Sequence, residues 1–73
     1  MFRTPEEIRK DIGISQTEFC KLVEMPYRTY HERLSGHRPM WSIVEIAKFC
    51  KVGDGKCKII LDGVEYNISI EQN

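Results

Sequence analysis

Seventy-three residues suffice for one domain with one core and one site, because a chain of this size buries only about 60% of the surface its unfolded form exposes. Its 11 basic and 11 acidic side chains cancel, so net charge supports neither a strongly basic coat for nucleic acid nor an acidic decoy surface, and any electrostatic case must be local. No apolar run approaches the roughly 18 residues of a membrane span, and Met1-Phe2-Arg3-Thr4 lacks the apolar stretch of a signal peptide, so a cytoplasmic protein with no membrane contact is expected.

Thr4-Pro5-Glu6-Glu7 supplies an N-cap, a proline suited to the first helical turn and a glutamate placed to close a capping box. A first helix therefore starts there, with Ile8 and Ile12 inward, Arg9, Lys10 and Asp11 outward, and a stop at Gly13. Ser15-Gln16-Thr17-Glu18 repeats the capping-box pattern, and Phe19, Cys20, Leu22 and Val23 give an apolar stripe, so a second helix spans about residues 15–23 with Phe19 and Leu22 in the core. Pro26 disfavours helical geometry at Met25 and suits the start of a third helix over about 26–34, which ends at Ser35-Gly36. Tyr27, Tyr30 and Leu34 share one face of it, with Tyr30 directed to the core. His37 to Met40 reads as a loop, and Trp41 to Lys51 as a fourth helix with Ile43, Val44, Ile46, Ala47 and Phe49 apolar.

After Gly53-Asp54-Gly55 the period changes to two, with strands at about 56–61 and 64–70 around Asp62-Gly63, a dipeptide that favours a two-residue hairpin turn. That turn sets Leu61 opposite Val64, Ile59 opposite Tyr66 and Cys57 opposite Ile68, which makes one hairpin face apolar. The expected fold is mainly α, with four to five helices over residues 1–52 and a C-terminal β-hairpin over 53–73 that belongs to the same domain.

Cys20, Cys50 and Cys57 are odd in number, without C-x-x-C spacing and with neither histidine close in sequence, so no metal and no cofactor are expected. They read as small buried apolar groups in a reducing cell, with Cys57 the more accessible. No nucleophile, base and acid stand together, so an enzyme is not expected.

Two short helices joined by a tight turn, one helix ahead of them and one behind, is the order in which a helix-turn-helix presents its second member to the DNA major groove. Ser15-Gln16-x-Glu18-Phe19-Cys20-Lys21-Leu22-Val23, then Arg28-Thr29-Tyr30, then Ser35-Gly36 with Arg38-Pro39, resembles the Cro/phage-repressor (XRE-like) class of helix-turn-helix regulators over about residues 5–50. The resemblance implies that Gln16 grips a phosphate and braces the next helix, that Tyr27, Arg28 and Glu32, with Thr29 beside them, read bases, and that Ser35, His37 and Arg38 meet the backbone. Lys21 stands at the edge of that surface. Independently, arginine can hold guanine O6 and N7 with a two-pronged fork, which makes Arg28 the first choice for readout. Two positions depart from the family pattern. Leu34 replaces an acid that commonly ties back to a basic residue of helix one, where Arg9 is available, and Arg33 stands where an apolar residue is expected.

The expected function is a phage-like or bacterial transcriptional regulator binding double-stranded DNA as a homodimer, with no small-molecule ligand implied. Val64, Tyr66, Ile68 and Ile70 are the candidate dimer interface, through a free strand edge or their apolar face, which otherwise covers the core of its own subunit. The alternative is a helix-turn-helix module that binds another protein, as an antitoxin or corepressor element does, which the zero net charge favours and the arginines Arg28, Arg33 and Arg38 disfavour.

Overall fold

A computed structural model of the chain describes residues 1–35, 41–61 and 63–71. Among them the order is α1 (Pro5–Ile12), α2 (Gln16–Leu22), α3 (Tyr27–Leu34), α4 (Ile43–Val52), and an antiparallel hairpin of β1 (Lys56–Leu61) and β2 (Val64–Ser69). The radius of gyration, 11.4 Å, equals the roughly 11 Å of a compact chain of this length. No helix among the described residues is long and apolar enough to cross a membrane.

The helix starts follow from local chemistry. Thr4 with Glu7 and Ser15 with Glu18 form complete capping boxes, as the sequence predicts, and Gly13 closes α1 in the left-handed conformation at φ 85°. Ser42 with Glu45 forms a third box and sets the start of α4 at Ile43, two residues after the predicted Trp41. The S-x-x-E signature was present in the sequence for that start as well. By contrast α3 begins after Pro26, which offers no side-chain cap, so its first N–H groups have no local acceptor of that kind.

Two hydrogen bonds close α2, from the Met25 N–H to the Cys20 carbonyl at 2.9 Å and from the Glu24 N–H to the Lys21 carbonyl at 3.3 Å. These make a Schellman end, and Glu24 takes its left-handed position at φ 54°. Glycine usually fills that position.

Phe19, Tyr30 and Phe49 are fully buried and bring α2, α3 and α4 together. Phe19 lies 5.7 Å from Tyr30 and 6.0 Å from Phe49 between ring centres, and Trp41 meets Phe49 edge-on at 4.9 Å. Ile8 closes the core from α1. The hairpin covers it from the other side through Cys57 and Ile59, in the predicted register of Cys57 with Ile68, Ile59 with Tyr66 and Leu61 with Val64. Gly53, between α4 and β1, is buried where a methyl group would stand 2.8 Å from both Ile8 Cδ1 and the Lys56 carbonyl oxygen. A side chain has no room there.

Four expectations about burial are corrected. Leu22 is 53% exposed, because the inward face of α2 runs through Phe19, Cys20 and Val23, and Leu22 lies about 100° around the helix from the middle of that face at 3.6 residues per turn. Ile12 is 44% exposed; it is the last residue of α1, and beyond the turn at Gly13 it is Ile14 that packs on the core. Cys57 is wholly buried rather than accessible, since its side of β1 lies under the helices. It meets the Cys50 thiol there, and burial with that neighbour pushes its thiol up to about 12. Arg9 is half-buried and turned back onto its own helix instead of facing solvent.

Candidate nucleic-acid interface

Of the residues implied in DNA contact, Gln16 directly and Tyr27 through it are joined to a carboxylate that sequence reasoning did not single out. Glu6, in the first turn of α1, accepts from Arg9 Nε at 3.0 Å and Nη2 at 2.9 Å, from Gln16 Nε2 at 3.1 Å and from the Tyr30 hydroxyl at 2.5 Å. One side chain thereby joins α1, α2 and α3. Partial burial pushes the Glu6 carboxyl up, but the donations from Arg9, Tyr30 and Gln16 outweigh it and hold it below the ordinary carboxylate value. For Tyr30, burial and then the bond to Glu6 both push the phenol up, so it remains a donor. Arg9 also donates to the Ile14 carbonyl at 2.8 Å, which fixes the turn between α1 and α2.

Gln16 sits at the first position of α2 and extends this network outward. Its Oε1 accepts from the Tyr27 hydroxyl at 3.4 Å, so the N-termini of α2 and α3 are tied through side chains. Tyr27 is 46% exposed, and its ring stacks on His31 at 5.9 Å between centres. The Arg28 side chain is 90% exposed and its Nε lies 3.0 Å from Glu32 Oε1, one helical turn on. A surface pair of this kind contributes about 0–1 kcal/mol and is readily exchanged for another partner. Thr29 is half-buried, and Lys21 and Ser35 are exposed. The Ser35 hydroxyl donates to the His31 carbonyl at 2.9 Å, capping the end of α3. His37 and Arg38 lie outside the described residues.

Arg33 and Arg9, singled out in the sequence beside Leu34, make different contacts. Arg33 Nη1 pairs with Glu45 of α4 at 3.1 Å and its guanidinium lies 5.7 Å from the centre of the Trp41 ring. Arg33 thus packs α3 against α4 in place of an apolar residue. Arg9 finds its acid in Glu6 of the same helix, and the connection from α1 to α3 runs from Glu6 to Tyr30.

Of the candidate interface residues on the hairpin, Ile68 and Ile70 pack against the core of their own chain, whereas Val64 and Tyr66 are about half exposed. The outer edge of β1 is engaged by the N-terminal segment, whose Arg3 carbonyl accepts from the Lys58 N–H at 2.8 Å. Among the described residues nothing bonds the outward backbone of β2. Elsewhere, exposed Leu22 joins Val23, Glu24, Lys48, Lys51 and Val52 around an open groove. No group of three or more His, Cys, Asp or Glu side chains among the described residues is placed to hold a metal ion.

Comparison of the chain with protein-family models, with curated proteins and with solved structures found no match.

Proposed function

We propose that this chain is a small sequence-specific regulator of the Cro/phage-repressor type, which binds double-stranded DNA as a homodimer and reads the major groove with α3. The observation that carries the reading is the exposed N-terminal turn of α3. Arg28 and Tyr27 project there from a helix start without a side-chain cap, and Gln16 of α2 is bound to the same turn. Backbone N–H groups at such a start suit phosphate oxygens, and an exposed arginine suits a guanine edge. The seven-residue α2 and eight-residue α3, connected through residues 23–26 and packed through Phe19 and Tyr30, support reading them as a helix-turn-helix pair. The direct test is selection of bound sequences from a random DNA pool, followed by titration of the selected site at several salt concentrations. A recovered two-fold site with salt-dependent affinity is expected. Recovery of random sequence only would refute the reading.

A dimer doubles the few base contacts that one small domain can make. The Lys58 N–H points away from β2, so its cross-strand partner Asn67 directs its own backbone outward, and so do Glu65 and Ser69. A second β2 running antiparallel about Asn67 would set Glu65 opposite Ser69, Tyr66 opposite Ile68 and Val64 opposite Ile70. Polar residues then meet polar and apolar meet apolar. Sedimentation should show dimers at micromolar-range concentration that Tyr66→Lys dissociates, and a strictly monomeric chain would refute this assembly.

The groove between Leu22 and Val52 favours a second reading, in which the fold binds a protein. Salt-insensitive passage through a DNA column, with loss of a protein partner on Leu22→Lys, would favour that module.

A further inference from the structure

We infer, resting on the DNA reading above, that Glu6 acts through Gln16 to make Tyr27 a hydrogen-bond acceptor toward the groove, so that Tyr27 selects a base carrying an exocyclic amino group, cytosine N4 or adenine N6. An ionised carboxylate can only accept, so whatever side chain faces Glu6 must donate. Gln16 meets Glu6 Oε1 through Nε2 at 3.1 Å, and turning the amide over would set its oxygen against the carboxylate. Gln16 Oε1 is thereby held on the far side, where it accepts from the Tyr27 hydroxyl at 3.4 Å. A phenol has one hydrogen. With that hydrogen directed at Gln16, the Tyr27 oxygen has only lone pairs to offer to anything approaching from outside.

This polarity decides between the partners available on DNA. Phosphate oxygens and guanine O6 and N7 are acceptors and gain nothing from such an oxygen, whereas the amino groups of cytosine and adenine in the major groove donate. The ring is half exposed and its plane is set by the stack on His31, so the oxygen is both reachable and oriented. Arg9 balances the charge of Glu6 through two hydrogen bonds, which limits repulsion between that carboxylate and nearby phosphates. Gln16 keeps its second Nε2–H for a phosphate, so its implied backbone contact and its hold on Tyr27 are compatible. Glu6 is then a positioning residue and Tyr27 a specificity-determining one.

The test compares wild type, Tyr27→Phe, Glu6→Gln and the double variant on the selected DNA site and its single-base variants. Tyr27→Phe deletes the acceptor at an exposed position and leaves the core intact. Glu6→Gln replaces a pure acceptor with a group that can also donate, so the Gln16 amide is no longer confined to one orientation. At one base pair in each half-site, wild type should prefer an amino-bearing base by roughly two- to tenfold, the worth of one hydrogen bond. Both single variants should lose that preference while keeping the one read by Arg28, and the double variant should lose no more at that position than either alone. A merely structural role for Glu6 would weaken all sites alike and leave every preference in place. In the DNA-free protein, the Gln16 side-chain amide signals should move with Glu6 ionisation in an acid titration, and that movement should vanish in Glu6→Gln. The inference is overturned if Arg28-dependent preference is present but Tyr27→Phe and Glu6→Gln leave all base preferences unchanged, or if the amide signals ignore Glu6. A wild-type chain with no base preference at all would instead overturn the DNA reading, and this inference with it.

Discussion

Removing one oxygen from the core, by Tyr30→Phe, isolates the contact that joins α1 to α3. The ring is fully buried and touches Phe19, Phe49 and Trp41, all of which phenylalanine preserves, so the loss is confined to the hydroxyl that donates to Glu6. A hydrogen bond to a charged group contributes about 1.5–3 kcal/mol. Glu6 retains Arg9 and Gln16 as donors, so the lower part of that range, about 1.5–2 kcal/mol, is expected. A chain of this length has roughly 4–11 kcal/mol in all, and at about 4–8 °C per kcal/mol the melting temperature should fall by roughly 6–16 °C. The pH dependence has a definite sign. The folded Glu6 carboxyl lies below its ordinary value, so its contribution is fully present above the ordinary carboxylate range and is lost as the pH falls through the folded value. Urea melts of wild type and Tyr30→Phe should therefore differ most at neutral pH and converge in acid, with unchanged dependence on denaturant. A difference under about 0.5 kcal/mol at neutral pH, or one constant down to strong acid, would refute the role given to this hydroxyl.

Leu22→Ala should cost about 1 kcal/mol or less in a urea melt, because the side chain is half exposed and little apolar area returns to water. Gly53→Ala should destabilise by about 1–3 kcal/mol, since its methyl group would meet Ile8 Cδ1 and the Lys56 carbonyl at 2.8 Å, and thermal melting reads the loss. Glu24→Gly should stabilise by about 0.5–1 kcal/mol in the same assay, because Glu24 occupies a left-handed helix end at φ 54°. On the proposed DNA reading, Arg28→Ala should cost roughly 1–3 kcal/mol of binding and relax preference at one base pair of each half-site, measured by titrating single-base variants of the selected site.

Elements whose cause is local were legible in the chain. Thr4-x-x-Glu7 and Ser15-x-x-Glu18 each close a box within four residues, and the hairpin register follows from the alternation together with the Asp62-Gly63 dipeptide of the sequence. Burial was legible only where the helical face was unambiguous. Phe19 and Tyr30 lie within the inward face and are buried, whereas Leu22 and Ile12 are apolar residues beyond a face edge and at a helix end, positions that periodicity does not resolve. For the candidate site, sequence and structure bear on different residues. Arg28 and Gln16 are typed by residue and position, but Glu6 gathers donors from residues 9, 16 and 30, and no local pattern encodes such a convergence. Ser42-x-x-Glu45 is the opposite case, a local signal present in the sequence and passed over.

On the proposed reading, the link between α1 and α3 bears on how such a surface discriminates. In the repressor family that the sequence resembles, the acid is contributed by helix three and the base by helix one. Here the acid and its counter-ion both lie in α1, as Glu6 and Arg9, and α3 contributes the neutral hydroxyl of Tyr30. Arg33 is turned toward Glu45 and Trp41 of the α4 side, and Arg28 is matched by Glu32 at 3.0 Å. The arginines that make residues 27–39 look basic in the sequence are therefore largely balanced in the folded chain wherever they are described. Counter-ion release scales with the number of phosphates neutralised, so on the proposed reading the described arginines of this face add little to its salt dependence. On that reading, the direction of hydrogen bonds at the start of α3 is what discriminates between bases. There the Glu32 contact engages Arg28 Nε and leaves the two terminal nitrogens of the guanidinium for a guanine edge, while Gln16 holds the hydrogen of Tyr27 away from it. On the proposed reading, a donor fork and an acceptor oxygen on adjacent residues read adjacent bases of opposite hydrogen-bonding character, an acceptor edge such as that of guanine and an exocyclic amino group, which is a more selective pattern than positive charge alone could provide.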